Sequence, residues 1–299
     1  VSQISAKSVK ELRDKTGAGM MDCKRALSDA DGDLVKANEL LRERGLAKAG
    51  KREGRETTEG VVAIAIDGGV AGIVELGCET DFVARTDEFV AMADALAKLV
   101  VSEAGAATVE GLSAASLDGT PVSDAITSAV TKLGENVVLK RVARVGVDDS
   151  GVAGGYVHAG GKLGVIVSLE TSGSGEAFET LAKDVAMHVA AADPSPIAID
   201  RAGVDPALLD SERSIFKAQA QQGGKPEKII DKIVEGRINK YLSEICLLEQ
   251  AFVKDPDKTI RELLTHVGSS AGAEVTVSGY QRFKLGEQSE PGDGEAGEA

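Results

Sequence analysis

The chain has 299 residues, 42% of them hydrophobic and 27% charged, enough for a sizeable core in two or more domains. A net charge of −14, with 3% aromatic residues and no Trp, argues against direct nucleic-acid binding, single-strand stacking platforms and anionic membranes. Cys23, Cys78 and Cys246 lie far apart without metal-ligand spacing, which fits a reducing cytoplasm and neither a disulfide framework nor a metal site. Val1-Ser2-Gln3-Ile4 opens no apolar signal-peptide stretch, and no later run approaches a membrane span.

Residues 1–58 carry a net charge of +3 against −17 for the rest. A module facing an acidic partner and a solvated mixed-charge surface both account for that. Residues 1–45 read as three short helices. Ser8 with Glu11 fits a capping box, with Ser5 as the other candidate start, and Gly17 ends the first helix. Asp22 is expected to cap a second helix through Ala30, and Asp33 a third from Leu34 to the C′ glycine Gly45. Val9, Leu12, Ala26, Leu27, Val35, Leu40 and Leu41 form the expected core of this module. Between the first two helices stand Gly17, Gly19, Met20 and Met21. Flexible thioethers suit an adaptable contact surface, or they plug a small core. Residues 47–59 read as a charged, glycine-punctuated linker, partly helical at most.

Gly60 opens a new domain. Val61 to Ile66, the turn Asp67-Gly68-Gly69 and Val70 to Leu76 make a β-hairpin. A helix begins near Thr86 and repeats Phe89, Met92, Ala93, Leu96, Leu99 and Val100 at helical spacing. Between strand and helix lies Cys78-Glu79-Thr80-Asp81-Phe82-Val83-Ala84, read as a polar loop. Exposing Phe82 or Val83 there forgoes about 1.5–3 kcal/mol of burial each, so either the ring turns back into the core or something else buries it. Residues 104–120 read as a loose loop. A helix with Val122, Ile126, Val130 and Leu133 comes next, ending at Gly134, and then a strand from Val137 to Val147.

The pattern then returns. Gly155 to His158, the turn Ala159-Gly160-Gly161 and Lys162 to Leu169 form a second hairpin, followed by a helix through Phe178, Leu181, Val185 and Val189. The first copy carries about four extra residues between strand and helix, the Thr80-Asp81-Phe82-Val83 segment. An insertion on a duplicated scaffold points to function. Asp193-Pro194-Ser195-Pro196 stops the second repeat helix. Helices over Pro206–Gln222 and Pro226–Ile245, joined by Gly223-Gly224-Lys225, form a helical hairpin whose Ile230, Ile233, Ile238, Tyr241, Leu242 and Ile245 seam packs on its own partner helix or on a second copy. Leu247 to Val253 is an apolar connection, Thr259 caps a helix to Val267, and Ala273 to Leu285 is the last strand. Residues 286–299 read as a disordered acidic tail. Helices with antiparallel hairpins make the fold class α+β.

No phosphate-binding loop, dinucleotide fingerprint or clustered metal ligands occur in the sequence. His188 reads as a half-buried structural residue, and His266 as a helix-end residue. His158, at a hairpin tip, is a contact residue or has no role. Nothing in the spacing supports a Cys78/His158/Asp81 hydrolase.

Several motifs in order resemble the elongation factor Ts family, the nucleotide-exchange factors of elongation factor Tu. They are Val9-Lys10-Glu11-Leu12-Arg13, Thr16 to Lys24, Ala26-Leu27, Glu79 to Ala84, Gly134-Glu135-Asn136, Ala186 to Ala190, Gly224-Lys225-Pro226, Val234 to Arg237 and Phe252-Val253. The resemblance implies a ubiquitin-associated-like three-helix domain over 1–46 and a linker over 47–59. It further implies a core subdomain over 60–147 and a second over 148–285, the latter carrying an inserted helical hairpin at about 205–246 and a C-terminal module. It implies that Thr80, Asp81, Phe82 and Val83 intrude beside the Mg²⁺ and nucleotide of elongation factor Tu. Arg13, Met20, Met21, Lys24, Leu133, Gly134, His158, Val253 and Lys254 would contact the same partner. It implies no cofactor and no enzymatic reaction. A non-catalytic adaptor acting through the three-helix domain stays open beside it, as does dimerisation through the helical hairpin.

Overall fold

Capping Ser, Thr and Asp side chains set most α-helix starts. In a computed structural model describing residues 4–50, 52, 54–146, 151–158, 160–224 and 226–287, Ser5 caps α1 (Ala6–Thr16), its Oγ accepting from the Ser8 N–H at 3.0 Å. The expected tail from residue 288 onward, the strand end at Val147, and the turn residues Ala159 and Lys225 lie outside the described residues. Gly17 ends α1 in the left-handed region at φ 65°. α2 (Met20–Asp29) starts earlier than expected. Its N-cap is Gly19, and Asp22 sits in the first turn, where its carboxylate faces the positive helix end. Asp33 caps α3 as read, with Oδ1 accepting from Val35 and Lys36. α3 (Leu34–Gly50), however, runs past Gly45 into the expected linker. Gly45 is a packing glycine: a Cβ there would lie 2.8 Å from Thr131 Oγ1. Val9, Leu12, Cys23, Ala26, Leu27, Ala37 and Leu41 form the module's core, while Val35 is exposed.

β1 (Glu59–Asp67) and β2 (Val70–Cys78) pair antiparallel from Glu59↔Cys78 to Asp67↔Val70. α4 (Asp81–Ala84) is a single turn where a polar loop was expected. α5 (Asp87–Ser102), capped by Thr86, then lays Phe89, Ala93, Leu96, Ala97 and Val100 on the sheet. Residues 104–120 are ordered rather than loose. A 3-10 turn at Ala104–Ala106, α6 (Val109–Ala114), β3 (Ser116–Leu117) and β4 (Thr120–Pro121) bury Ala106 and Leu112. Asp118 and Gly119, at φ 51° and 82°, make the two-residue turn of that ribbon. α7 (Val122–Leu133) ends at the left-handed Gly134, and β5 (Val137–Val145) returns antiparallel to β2.

The second copy repeats the topology. β6 (Val152–Val157) and β7 (Leu163–Thr171) form the hairpin, and α8 (Glu176–Ala191) covers it. α9 (Pro206–Gln222) and α10 (Glu227–Ile245) form the helical hairpin, whose base buries Ile238, Leu242 and Ile245 against Leu208, Leu209 and Phe216. A small ribbon that the sequence pattern does not announce, β8 (Ala251–Phe252) and β9 (Asp255–Thr259), leads into α11 (Ile260–Ala271). The Thr259–Glu262 capping box starts α11, and Gly272 ends it one turn beyond Val267. β10 (Val275–Lys284) then pairs with β7. The two sheets have orders β1-β2-β5 and β6-β7-β10, so the duplication read from the sequence extends to a third strand.

The sheets stack face to face, with α5 and α8 on the outer faces. Val62, Ile73, Ala143, Ala153, Ile166 and Phe283 fill the space between them. Each hairpin tip meets the first strand of the other copy. Val62 N–H donates to Gly161 O at 2.7 Å and Ala153 N–H to Gly68 O at 3.0 Å. Gly161 and Gly164 make the close approach possible: a Cβ on either would lie 2.5 Å from a methyl group of Val61 or Val62. Within the interface the Glu75 carboxylate, 2% exposed, accepts from Arg141 Nε at 2.7 Å. Arg141 also donates to Lys284 O at 2.9 Å and lies 4.4 Å from the Phe283 ring centroid. One cation thus joins β2, β5 and β10. Glu75→Ala should cost about 3–5 kcal/mol in urea unfolding, because it strands a buried guanidinium. A loss below about 1 kcal/mol would mean that the pair is no stronger than one on the surface.

Candidate partner-binding site

β2 delivers the chain to its edge at Cys78, and two threonine caps shape the turn beyond it. Thr80 Oγ1 accepts from the Val83 N–H at 3.4 Å. Thr86 Oγ1 accepts from Phe89 N–H at 3.3 Å and donates to Val83 O at 2.8 Å. The single turn between them directs Val83 and Ala84 into the core and Phe82 outward, 81% exposed. Asp81 lies beside it and pairs with Arg85 at 3.1 Å. The sequence left the ring inward or outward; it is outward.

The turn is held from outside itself. Glu135, between α7 and β5, accepts from Glu79 N–H at 3.1 Å and Thr80 N–H at 2.9 Å through Oε2, and from Thr80 Oγ1 at 2.5 Å through Oε1. Glu79 reciprocates, accepting from the Asn136 N–H at 2.7 Å and from Arg55 Nη1 at 3.3 Å. Those donors, Asn136 first, hold the Glu79 carboxyl below the usual range. The Cys78 thiol donates to Thr80 O at 3.2 Å and is fully buried. Burial first, then the Glu135 charge, pushes its pKa to about 11. A thiol so protonated is no nucleophile at neutral pH. The Gly134-Glu135-Asn136 motif was visible in the sequence, but its acceptor geometry was not.

In the N-terminal module Met20 and Met21 are the first two residues of α2, 54% and 67% exposed, so neither fills the core beneath them. Arg13 and Lys24 are exposed beside them in sequence. The module rests on α7. Arg42 pairs with Asp124 at 2.8 Å, Arg52 Nη1 donates to Val130 O at 3.0 Å, and Gly45 meets Thr131. A cleft of about 590 Å³ remains between them, bordered by Lys15, Asn38, Thr120 and Thr127. Gly17 lies on the Lys132 stem, whose ammonium pairs with Glu88 of α5 at 2.5 Å. Lys132 therefore bridges the Gly17–Met21 connection to the start of α5. Leu133, half-buried, and the exposed Gly134 come directly after it. The Gly17 turn, Leu133 and Gly134 thus lie near the start of α5.

His158 caps the other hairpin. It is exposed, with Nδ1 3.0 Å from Tyr156 Oη. Lys162, past the same tip, pairs at 3.0 Å with Glu59, which sits opposite Cys78 in the sheet. The tip therefore lies at the end of the sheet from which α4 departs. Val253, 40% exposed, and Lys254 belong to the β8–β9 turn held on α8, Lys254 pairing with Asp184 at 2.7 Å. His188 fixes that turn. It is 1% exposed rather than half-buried, with Nε2 2.9 Å from Gln250 Oε1 and Nδ1 accepting from Val253 N–H at 3.3 Å. Val253 N–H requires a bare Nδ1, so the ring is neutral with its proton on Nε2. Among the described residues no three His, Cys, Asp or Glu side chains cluster to hold a metal, and no helix is long and apolar enough to cross a membrane.

The family model for elongation factor Ts matches residues 79–287, from the Glu79 clasp to just past the last strand. The chain belongs to the elongation factor Ts family. It is 47% identical over 287 residues to the elongation factor Ts of Clostridium botulinum (strain Alaska E43 / Type E3), covering 95% of this chain and 93% of the relative. It is 49% identical over 289 residues to that of Clostridium kluyveri (strain NBRC 12016), with 95% and 93% covered. It is 45% identical over 296 residues to that of Maricaulis maris (strain MCS10), with 97% and 94% covered. The family match begins at Glu79, one residue before the cap of the Phe82 turn, and the relatives' matches extend beyond it.

His188 gives this side of the molecule a pH dependence. Burial lowers its pKa below the ordinary 6.5. In the range below 6.5 the unfolded chain binds more protons than the folded one, so stability falls as pH falls. This contribution is complete above about 6.5 and shrinks from there towards the depressed folded value, by at most about 1.4 kcal/mol per pH unit. Urea midpoints measured between about pH 7 and pH 5 should show that loss in the wild type and a shallower one in His188→Gln; equal slopes would remove His188 as the cause.

Proposed function

We propose that this chain is the nucleotide-exchange factor of elongation factor Tu, binding the GDP form and promoting GDP release. Asp81 and Phe82 are the segment that enters beside the partner's Mg²⁺ and nucleotide. The observation that carries this is an 81% exposed phenyl on a capped, clasped turn. The reading also draws on the family membership, on the exposure of Met20 and Met21, and on the exposed His158 at the end of the sheet from which that turn departs. Arg13, Lys24, Leu133, Gly134, Val253 and Lys254 supply the rest of the grip, and Thr80 and Val83 hold the turn.

The energetics assign the parts. A nanomolar nucleotide is held by about 12 kcal/mol, so unassisted release is slow. Mg²⁺ demands near-ideal octahedral geometry, and displacing its ligands or waters is costly. A ring buried only when the partner's site is distorted couples its own burial to the loss of that geometry. One phenyl contributes about 1.5–3 kcal/mol, too little alone, so the wider contact surface must supply the remainder. Coupling is reciprocal, so bound nucleotide and Mg²⁺ weaken this chain's binding by the factor with which it weakens theirs. Exchange makes and breaks no covalent bond, and the chain needs neither nucleophile nor cofactor for it.

The test is the release rate of fluorescent GDP from elongation factor Tu. The wild-type chain should accelerate it strongly. Phe82→Ala should slow the accelerated rate by roughly 10- to 100-fold, the burial energy expressed as a rate. Complex formation with nucleotide-free elongation factor Tu should weaken far less. Asp81→Ala should act in the same direction. Equal loss of rate and binding would overturn the insertion mechanism, and binding without any acceleration would leave an adaptor.

A further inference from the structure

We infer that Glu135 is a positioning residue, one that sets the direction in which the Phe82 ring points without touching the partner. The inference rests on the exchange reading above and deepens it. A single helical turn does not hold itself together, because nucleation fixes several residues for one hydrogen bond. α4 has four residues and places an apolar ring in water, so its geometry must be imposed from elsewhere. The Glu135 carboxylate takes three donors from Glu79 and Thr80, two backbone N–H groups and one hydroxyl, at 2.5–3.1 Å.

The hydroxyl is the decisive one. Thr80 Oγ1 has a single proton. Giving it to Glu135 at 2.5 Å leaves a lone pair for the Val83 N–H at 3.4 Å, which is the cap of α4. Glu135 thereby selects the hydroxyl rotamer in which Thr80 can cap. The Glu79 carboxylate closes the loop on the Asn136 N–H at 2.7 Å, so two adjacent residues of each segment hold each other. In the second copy, β7 and α8 are joined by the four residues 172–175, against eight between β2 and α5. Only the longer connection carries this clasp among the described residues.

Glu135→Gln keeps the shape but replaces one acceptor oxygen with a donor, so the amide and the Thr80 hydroxyl cannot both keep their present roles. Thr80→Val removes the hydroxyl from the other side. In native-state hydrogen exchange, each variant should speed exchange of the Val83 amide at least tenfold, with the β5 amides unchanged; the oxygen kept in Glu135→Gln can still hold the Glu79 and Thr80 amides. Each should reduce maximal acceleration of GDP release at least tenfold while changing affinity for the nucleotide-free GTPase less than threefold. Added to Phe82→Ala, Glu135→Gln should cost nothing further, because it acts through a ring that is gone. Wild-type protection at the Val83 amide, or a full multiplicative loss on the Phe82→Ala background, would overturn the inference. Failure of the wild-type chain to accelerate GDP release would sink the exchange reading instead, and amide protection would then decide the positioning role alone.

Discussion

Two backbone hydrogen bonds tie the halves of this core together. Val62 and Ala153, equivalent residues of the two copies, each donate to the tip of the opposite hairpin. Gly60 and Gly151, the residues before Val61 and Val152, leave no Cβ against the neighbouring strand's carbonyl. A side chain at either glycine would push the first strand off its own hairpin partner, and the end of that strand that receives the opposite tip would shift with it. Because the contacts are reciprocal, each hairpin tip lands beside the strand start of the other copy. This brings His158 to the end of the first sheet, where β2 gives way to the Phe82 turn.

Stability and the proposed contacts then draw on different parts of the same scaffold. The inner faces hold Ile73, Ile166 and Phe283 with the Glu75–Arg141 pair, and the outer faces hold the helices that pack each copy. The exposed apolar residues proposed for contact sit at element ends and in short turns: Met20 and Met21 at the start of α2, Phe82 in the single turn α4, Val253 in the β8–β9 turn. Loops positioned by a rigid scaffold can present such groups because the elements they connect fix them. Lys132 carries the arrangement across the module boundary, its stem under Gly17 and its charge on Glu88.

Much of this is legible in the residues, and the failures have physical causes. β2 is readable because Val70–Leu76 is rich in β-branched residues, and the duplication because two hairpins recur before two Phe-led helices. The four-residue surplus before α5 is readable by counting. That it forms a helical turn is not, since four residues carry no period; Thr80 as a cap was its one local sign. Gly45 misleads because a glycine that permits close packing on Thr131 looks the same as one that ends a helix. Asp22 misleads because a carboxylate is as well placed inside the first turn as at the cap. Residues 104–120 look loose because their small residues hide Ala106 and Leu112, although Asp118-Gly119 is a recognisable turn signal. The Glu79–Glu135 clasp joins residues 56 apart in sequence, and no spacing rule reaches that far.

The four extra residues occur in one copy only, and under the proposed contact that asymmetry would set the valence of the molecule. A duplicated core has two equivalent corners where a strand hands over to a helix. Had both carried an outward ring, the chain would offer two matching faces and bridge two partners into a larger assembly. With the shorter connection 172–175 at the second corner, the described residues carry one outward ring of this kind, so the proposed contact would be made once per chain while the duplicated scaffold lends it rigidity.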